Sequence, residues 1–508
     1  MVWLKWLAAG LVLLLLTWLA ARAVFAVPDA TDRPRETALA FDPTTTLAPR
    51  AQEALDGHPG QSGVLPLADG QGALRSRLKL ADAAERSIDA MYYIWHDDAS
   101  GMLLLDALRR AAQRGVRVRL LLDDNGIAGM DPVLAALNAM PNFSVRLFNP
   151  STLRRPKMLG YVLYPLRMNR RMHNKAFIVD GAAAIVGGRN IGDEYFAVGD
   201  APAYLDLDVL GVGTVVGDTT AIFDDYWNSQ PVLALEQVID GPGDIGALDR
   251  AMTDMSPAPE QDITAAERLS RGSADLEWTA VRVVADDPAK GMGRVDRDQL
   301  MITRLARIIR QVDSNLDLIS AYFVPGKAGT AFFSGLAQDG RRVRILTNSW
   351  QATDVPMVHA GYVKYRRELL EAGVSLYELK PLEDQPQGRA ELGSSGLSGG
   401  SLHAKTFSVD DARVFIGSFN FDPRSALLNC EMGFLIESPA IAASGTKAMT
   451  DRLIPRSFQP VLTQDGAMVW RSPDGQGREQ LHEHEPGLGF GNRILVYVLN
   501  LLPIEWLL

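Results

Sequence analysis

Arg171-Met-His-Asn-Lys-Ala-Phe-Ile-Val-Asp180 has a second copy in this chain, Leu402-His-Ala-Lys-Thr-Phe-Ser-Val-Asp410. In each copy a lysine follows the histidine by two residues, and an aspartate follows the lysine by five. Six residues then lead to a small-residue turn ending in asparagine, Gly187-Gly188-Arg189-Asn190 and Gly417-Ser418-Phe419-Asn420. The histidines, His173 and His403, lie 230 positions apart (403 − 173), which indicates a duplicated domain with a shared site.

The spacing inside each copy predicts its local structure. Alternation places His173 and Lys175 on the same face of one strand, and Asp180 falls at the end of that strand before a turn. A hairpin then returns to the glycine turn and brings Asn190 beside His173. Glycine at such a turn permits a tight backbone or a close approach to a ligand. The second copy predicts the same arrangement.

Bulk composition limits the possibilities. A chain of 508 residues is too long for one compact core, so two domains with extensions are expected. Hydrophobic residues make up 47% and charged residues 22%, which is typical of a globular protein. The net charge of −10 argues against a nucleic-acid binder, which needs a basic footprint. The single cysteine, Cys430, cannot form an internal disulfide, and we interpret it as a small buried filler.

Strand-like and helix-like segments alternate in both halves. In the first half, residues 87–95 and 116–122 read as strands around a helix at 103–114, whose stop is Gly115. The second half repeats this order from residue 316. Alternating strands and helices predict the α/β class, with mixed, mostly parallel sheets flanked by helices.

Both chain ends are apolar. Residues 6–21 are short of the roughly 20 that a spanning helix needs, and extension to residue 26 requires Arg22 to snorkel. An uncleaved anchor, a cleaved signal ending at Ala26 and a buried core helix all remain open. At the other end, Asn500 and Glu505 interrupt an apolar run, which predicts an interfacial segment with Trp506 at headgroup level. Burial of that run against the folded domain is the alternative.

The predicted division of the chain follows from these patterns. It comprises an anchor or signal at 1–26, a linker at 27–72, domain 1 at 73–235, a connection at 236–275, domain 2 at 276–450, and a C-terminal extension with a membrane-facing end at 451–508.

The paired His-x-Lys-x4-Asp-x6-Gly-[Gly/Ser]-x-Asn motifs resemble those of the phospholipase D superfamily, over residues 74–450. Arg170-Arg-Met-His-Asn-Lys175, Gly187 to Phe196 and Gly417 to Ser425 are similar to the C-type bacterial cardiolipin synthases. The resemblance implies two tandem phospholipase D-like domains in a pseudo-twofold arrangement. It also implies a membrane-bound enzyme that transfers a phosphatidyl group between phospholipids, with phosphatidylglycerol and phosphatidylethanolamine as partners. The expected location is the bacterial inner membrane, with one N-terminal anchor and periplasmic catalytic domains.

The motif residues suit phosphodiester chemistry. One neutral imidazole can attack phosphorus, and a second, protonated imidazole can donate a proton to the leaving alkoxide. The resemblance makes His173 the nucleophile and His403 the acid/base, although the near-symmetry of the motifs leaves this order open. Lys175, Lys405, Asn190 and Asn420 would stabilise the non-bridging oxygens, so neither a metal nor a cofactor is expected.

Each imidazole needs a carboxylate to orient it. Asp180 and Asp410 lie at the far strand ends and look structural, as in the family. We therefore predict Asp208, 35 residues after His173 (208 − 173), and Glu431, 28 residues after His403 (431 − 403). Asp206 is the rival to Asp208, which we prefer.

Several other features have two interpretations. His359 could line the pocket or be structural, and the loop at 388–400 could be a lid or a tolerated insertion. Basic residues upstream of the first motif could bind lipid phosphates or form a solvated charge run. These are Arg154, Arg155, Lys157, Arg167, Arg170 and Arg171.

Three function classes follow. The first is a phosphatidyltransferase that makes cardiolipin, with phosphatidylethanolamine or a second phosphatidylglycerol as donor. The second is a hydrolase, either a phospholipase D that releases phosphatidic acid or a nuclease, which the charge and the apolar N-terminus disfavour. The third is a non-catalytic lipid-binding scaffold, disfavoured because neither motif has lost a residue.

Overall fold

Two β-sheets, one containing each copy of the motif, organise the protein. The computed structural model describes residues 2–30, 33–199, 202–254, 264–272, 274–381, 401–473, 477–501 and 505–507. The loop predicted at 388–400 lies outside these residues.

The first sheet has the order β8-β4-β3-β2-β5-β6-β7-β1-β9. Its strands are β1 (Ser62–Leu67), β2 (Ser87–Ile94), β3 (Arg117–Gly126), β4 (Phe143–Phe148), β5 (Ala176–Val179), β6 (Ala183–Gly187), β7 (Asp208–Gly213), β8 (Val232–Ala234) and β9 (Glu277–Thr279). The first motif supplies the β5–β6 hairpin, as predicted.

The second sheet has the order β10-β16-β15-β14-β11-β12-β13-β17-β18-β19. Its strands are β10 (Val281–Ala285), β11 (Asn315–Ser320), β12 (Arg342–Asn348), β13 (Ser375–Leu379), β14 (Lys405–Val409), β15 (Arg413–Gly417), β16 (Met432–Ile436), β17 (Ser457–Leu462), β18 (Met468–Pro473) and β19 (Glu479–His482). The run β4-β3-β2-β5-β6-β7 matches β13-β12-β11-β14-β15-β16, which bears out the duplication.

The expectation of mostly parallel strands is wrong. Among the described strands, parallel pairing is confined to β2–β3–β4 and to β11–β12–β13. Each motif is a tight hairpin, and strands joined by a short turn can pair only antiparallel. At the first hairpin Asp180 and Gly181 have φ of 53° and 64°, the left-handed backbone of such a turn.

Helices cover the sheets. They are α1 (Val2–Val24), α2 (Ala48–Gly57), α3 (Gly70–Ala83), α4 (Ala99–Gln113), α5 (Asp131–Asn138), α6 (Gly160–Leu163), α7 (Pro165–Met168), α8 (Asp193–Phe196), α9 (Thr214–Trp227), α10 (Gly246–Asp254), α11 (Ala265–Ser270), α12 (Met301–Ile309), α13 (Gly326–Gln338), α14 (Pro356–Glu371), α15 (Pro423–Leu427), α16 (Pro439–Ala448) and α17 (Phe490–Leu501). In α4 the Asp98 carboxylate accepts from Gly101 N at 3.0 Å and caps the helix, and Leu104, Leu108 and Ala111 are buried on its inner face.

The N-terminal helix is longer than the apolar run alone suggested. α1 has 23 residues, is exposed, and is long and apolar enough to cross a membrane. Arg22 lies within it, with its guanidinium 4.6 Å from the Trp18 ring and 4.8 Å from the Tyr164 ring. These cation–π contacts stabilise the Arg22 guanidinium, and the helix continues past it to Val24.

The structure corrects three predicted boundaries. Part of the predicted linker is β1, which pairs with β7 and β9 inside the first sheet. β9 also belongs to this sheet, although the predicted boundary at residue 276 puts it in domain 2. The next strand, β10, joins the second sheet. The C-terminal extension adds β17 to β19 beyond β13. These short strands lack a sustained hydrophobic period, and only pairing with a sheet edge defines them.

The two sheets share a core. Val186 and Val209 of the first sheet pack in one cluster with Ile416, Met432 and Phe434 of the second. This shared core brings the two motifs together.

Candidate active site

Strand bridges between the halves hold both histidines. Met172 bridges to Cys430, and His173 N donates to Cys430 O at 2.8 Å. In the same way Leu402 bridges to Leu205, and His403 N donates to Leu205 O at 2.8 Å. Each histidine backbone is therefore positioned by the opposite half of the protein.

The carboxylate partners are also exchanged between the halves. His173 Nδ1 lies 2.8 Å from Glu431 Oε2, and His403 Nδ1 lies 2.5 Å from Asp206 Oδ2. Because Nδ1 is engaged in each ring, Nε2 is the nitrogen left for chemistry. Both histidines are only 7% exposed.

The preference for Asp208 is therefore wrong, as is the expectation that each histidine pairs within its own half. Asp208 Oδ2 accepts from Arg77 at 2.9 Å and lies 3.4 Å from Arg189. Strand register explains the difference, because Asp208 pairs with Gly187 and Gly433 pairs with Gly417. Asp208 and Gly433 are therefore equivalent positions. Asp206 precedes Asp208 by two residues, and Glu431 precedes Gly433 by two, so Asp206 is the equivalent of Glu431.

Both motif lysines are buried in the same place. Lys175 Nζ donates to His173 O at 2.6 Å and lies 5.5 Å from the centre of the Tyr93 ring. Lys405 Nζ lies 2.8 Å from His403 Nδ1 and also donates to His403 O. Burial lowers the pKa of Lys175 well below its usual value and that of Lys405 to about 8.

The histidines are neutral in the free site. Burial lowers the pKa of His173 to about 4 against the opposing effect of Glu431, and it lowers the pKa of His403 to about 3. Lys405 adds to the lowering at His173, and Lys175 adds to it at His403. Each lysine thus acts on the other half's histidine, so the two motifs form one electrostatic site.

The two turns lie against the carboxylates, and both motif asparagines are buried. Asn190 Oδ1 accepts from Ile94 N at 3.3 Å, while its buried Nδ2 has no hydrogen-bond partner among the described residues. Asn420 Oδ1 is likewise buried without a partner in the described part of the chain. A β-carbon on Gly188 would lie 2.1 Å from Asp206 Oδ1. Ser418, at the equivalent position, donates from Oγ to Glu431 Oε2 at 2.5 Å.

The motif aspartates lie at the hairpin ends, away from the histidines. Asp180 accepts hydrogen bonds from the backbone N–H groups of Glu85, Arg86 and Ser87 at 2.8–3.0 Å. Asp410 does the same for residues 313–315 at 2.8–3.2 Å. Both carboxylates anchor the start of the neighbouring strand, in keeping with a structural role.

Three tyrosines beside the histidines were not anticipated. The Tyr93 ring lies 4.9 Å from His173, and the rings of Tyr195 and Tyr204 lie 5.1 and 5.4 Å from His403. Tyr204 precedes Asp206 by two residues. Choosing Asp206 as the carboxylate partner would therefore have indicated that Tyr204 lies near the site.

The remaining candidates have structural partners. Three residues of the basic cluster form ion pairs within the fold: Arg154 pairs with Asp124 and Asp131, Lys157 with Asp124, and Arg171 with Asp123. His359 Nε2 lies 2.5 Å from Glu485 Oε1 in a buried group. Burial raises the pKa of Cys430 to about 12, which keeps the thiol protonated.

Comparisons with known proteins agree with this arrangement. A family model described as "Cardiolipin synthase, PLD-like domain" matches residues 78–201 and 305–452. Cardiolipin synthase C of Escherichia coli K12 is 45% identical over 462 residues, which cover 89% of this chain and 97% of that protein. A cardiolipin synthase of Staphylococcus aureus is 26% identical over 386 residues, covering 76% of this chain and 66% of that protein.

A solved structure shares the fold. The crystal structure of phosphatidylserine synthase from Haemophilus influenzae Rd KW20 superposes with a TM-score of 0.56 and covers 90% of this chain and 99% of its own. Sequence identity is 14%, so this likeness concerns the fold alone.

Proposed function

This chain belongs to the cardiolipin synthase family of PLD-like proteins, and on that premise we propose that it makes cardiolipin by phosphatidyl transfer through a phosphohistidine. Phospholipids are its substrates. The donor is phosphatidylethanolamine or a second phosphatidylglycerol, and phosphatidylglycerol supplies the accepting hydroxyl.

One observation carries the proposal: each histidine is bound through Nδ1 to a buried carboxylate of the opposite half. Such a carboxylate holds the imidazole tautomer and stabilises the ring when it becomes positively charged. Two rings prepared in this way beside two buried lysines match what a two-step displacement at phosphorus needs.

In the first step, His173 Nε2 forms a bond to phosphorus and the bond from phosphorus to the headgroup oxygen breaks. His403 Nε2 gives its proton to that oxygen, so glycerol or ethanolamine leaves as a neutral alcohol. His403 is neutral in the free site, so Nε2 takes up this proton from solvent when the anionic phosphodiester binds and raises the pKa of the ring. Lys175, Lys405 and the Asn190 amide stabilise the non-bridging oxygens.

In the second step, a hydroxyl of phosphatidylglycerol gives its proton to His403 Nε2. Its oxygen bonds to phosphorus while the bond between phosphorus and His173 breaks, and this releases cardiolipin and restores both rings. Glu431 stabilises the phosphorylated imidazolium between the two steps.

The surroundings of the histidines favour an alcohol over water as the acceptor. Both rings are almost fully buried, and Tyr195 and Tyr204 cover His403. A site that excludes water protects a reactive intermediate from hydrolysis.

The N-terminal helix and the family make this a membrane protein. We propose that α1 stays uncleaved in the bacterial inner membrane and that the catalytic halves lie on the periplasmic side. The acidic net charge supports lipid rather than nucleic acid as the partner.

Product analysis with labelled phosphatidylglycerol tests the function. The purified full-length chain is incubated in phosphatidylglycerol vesicles with and without phosphatidylethanolamine, and His173→Ala serves as the control. We expect labelled cardiolipin, and free ethanolamine identifies phosphatidylethanolamine as donor. Phosphatidic acid as the main product would instead establish a hydrolase, and the absence of any product would favour a binding protein.

A further inference from the structure

Large exposed apolar side chains cluster on two segments that are distant in sequence. The first is the α6–α7 region, where Met158, Val162 and Leu166 are 73%, 60% and 67% exposed. The second is α17 and the residues after it, where Tyr497 and Trp506 are exposed. Contiguous exposed apolar surface of this kind marks an interaction site.

One arginine contacts both the end of the α6–α7 region and the residues after α17. Arg424, in α15, donates from Nε to Leu507 O at 3.0 Å and from Nη1 to Asn169 O at 3.1 Å. Leu427, on the same short helix, is also exposed. We define the apolar collar as Met158, Val162, Leu166, Leu427, Tyr497 and Trp506.

The collar is continuous with the membrane helix. Trp18 Nε1 of α1 donates to Val162 O at 3.0 Å, and the Tyr164 hydroxyl donates to Arg22 O at 3.1 Å. Just past the helix, Phe25 O accepts from Thr152 Oγ1 at 2.6 Å. A helix that crosses the bilayer therefore brings the α6–α7 region to the membrane surface.

The collar also adjoins the His173 side of the site. Tyr161, between Met158 and Val162, donates to Asn125 Oδ1 at 2.9 Å, and the adjacent Asp123 accepts from Met172 N at 2.8 Å. In α15, which carries Leu427 of the collar, Arg424 O accepts from Asn429 N, two residues before Glu431. The α6–α7 region and α15 thus each connect to residues that position His173.

We propose that the apolar collar inserts into the bilayer surface and seats the His173 side of the site against the lipid headgroups. A phospholipid then reaches the histidines headgroup first while its acyl chains stay in the membrane. Arg154 and Lys157, which precede α6, pair with Asp124 and Asp131, so their charges are not directed at the lipid, and the collar itself contacts it through apolar side chains. The inference rests on the proposed function only in that the substrate is a bilayer lipid.

Depth-dependent quenching tests insertion without any turnover. Val162→Cys and Tyr497→Cys are labelled in detergent with an environment-sensitive fluorophore and reconstituted in phosphatidylglycerol–phosphatidylethanolamine vesicles with brominated acyl chains. The native Cys430 is buried and should not compete for the label. Leu481→Cys, on β19 and 63% exposed, is the matched control. We expect strong quenching at 162 and 497 and none at 481.

Equal quenching at all three positions, or none, would overturn the proposal. A cross-link between the Val162→Cys residues of two subunits would also overturn the proposal, because it would show that a second copy of the chain, and not lipid, covers this position.

Kinetics with two physical forms of substrate give an independent test. Leu166→Glu should raise the KM for vesicle phosphatidylglycerol at least about tenfold and leave the rate with a monomeric short-chain analogue unchanged, because only the bilayer substrate needs docking. Leu481→Glu should alter neither. If Leu166→Glu lowered the rate equally with vesicle lipid and with the monomeric analogue, insertion would be contradicted. If the wild-type protein made no cardiolipin, the proposed function would fail, but the insertion proposal would not.

Discussion

The two half-sites differ at two pairs of matched positions, Gly188 with Ser418 and Asp206 with Glu431. In the first half Gly188 faces Asp206, and no β-carbon fits between the turn and the carboxylate. In the second half Ser418 faces Glu431 and donates to it. The carboxylate and the turn residue therefore form a unit, Asp with Gly or Glu with Ser, and each unit orients the histidine of the opposite half.

The aromatic surroundings differ as well. His403 lies among Tyr195 and Tyr204, both from the other half, whereas Tyr93, beside His173, comes from the same half. The duplication has kept the reacting groups symmetric while their surroundings diverged. This divergence suits two different roles for two chemically identical rings.

Removing either histidine should have the largest effect. His173→Ala and His403→Ala should each lower cardiolipin synthesis by roughly 10³-fold or more while the far-UV circular dichroism spectrum is retained. A donor with a p-nitrophenolate leaving group separates the roles, because that group needs no proton to depart. His403→Ala should still give a stoichiometric burst of p-nitrophenol and His173→Ala none, and the reverse pattern would exchange the roles.

The crossed carboxylates come next. Glu431→Gln and Asp206→Asn should each lower kcat on the order of 10²- to 10⁴-fold, because the amide no longer stabilises a charged imidazole. Asp208→Asn, which disturbs the ion pairs with Arg77 and Arg189, should mainly lower thermal stability. A larger loss of kcat with Asp208→Asn than with Asp206→Asn would contradict the register that the structure shows.

The turn residues should respond unequally to exchange. Gly188→Ser should lower kcat at least about tenfold, because its β-carbon would displace the Asp206 carboxylate from His403. Ser418→Gly removes the hydrogen bonds that Oγ donates to Glu431 and accepts from Met432 N but places no atom against the carboxylate, so kcat should fall by a smaller factor. Equal losses in steady-state kcat would mean that the two units are interchangeable.

The pH profile should reflect groups of both halves. Activity needs neutral His173, which is lost as the pH falls through its pKa of about 4. It also needs protonated Lys405, which is lost as the pH rises through its pKa of about 8. His403 is protonated only once the anionic lipid is bound, so we expect kcat, measured at saturating lipid, to be level between about pH 5 and 7 and to fall at lower and higher pH. A flat profile from pH 5 to 9 would refute this assignment.

The hairpin aspartates should show the smallest effect, and on stability alone. Asp180→Ala leaves three backbone N–H groups without their acceptor at a buried position and should cost roughly 1–3 kcal/mol. Asp410 is more exposed, so water can replace part of its bonding and Asp410→Ala should cost less. Thermal unfolding in detergent measures the loss of stability in both variants. A larger loss for Asp410→Ala than for Asp180→Ala would show that burial does not determine the size of the effect.

Much of the site could be predicted from the sequence because its spacing is local. The motif spacing predicts the β5–β6 hairpin and its turn, and it selects His173, Lys175 and Asn190 as candidates. β5 begins at Ala176, however, so His173 and Lys175 precede the strand, and the bridge between Met172 and Cys430 positions His173. β1 and β9 could not be recognised in the same way, because these short strands exist only through pairing with each other and with β7.

The sequence by itself determined the duplication, the α/β class and the motif histidines and lysines that meet in one site, since each depends on patterns a few residues long or on their repetition. Only the tertiary structure decided which carboxylate serves which histidine. Asp206 and Asp208 are equivalent by composition and spacing, and they are separated by the strand register and by the bridge between Leu205 and Leu402. That bridge joins residues almost 200 positions apart, so no local pattern carries its information.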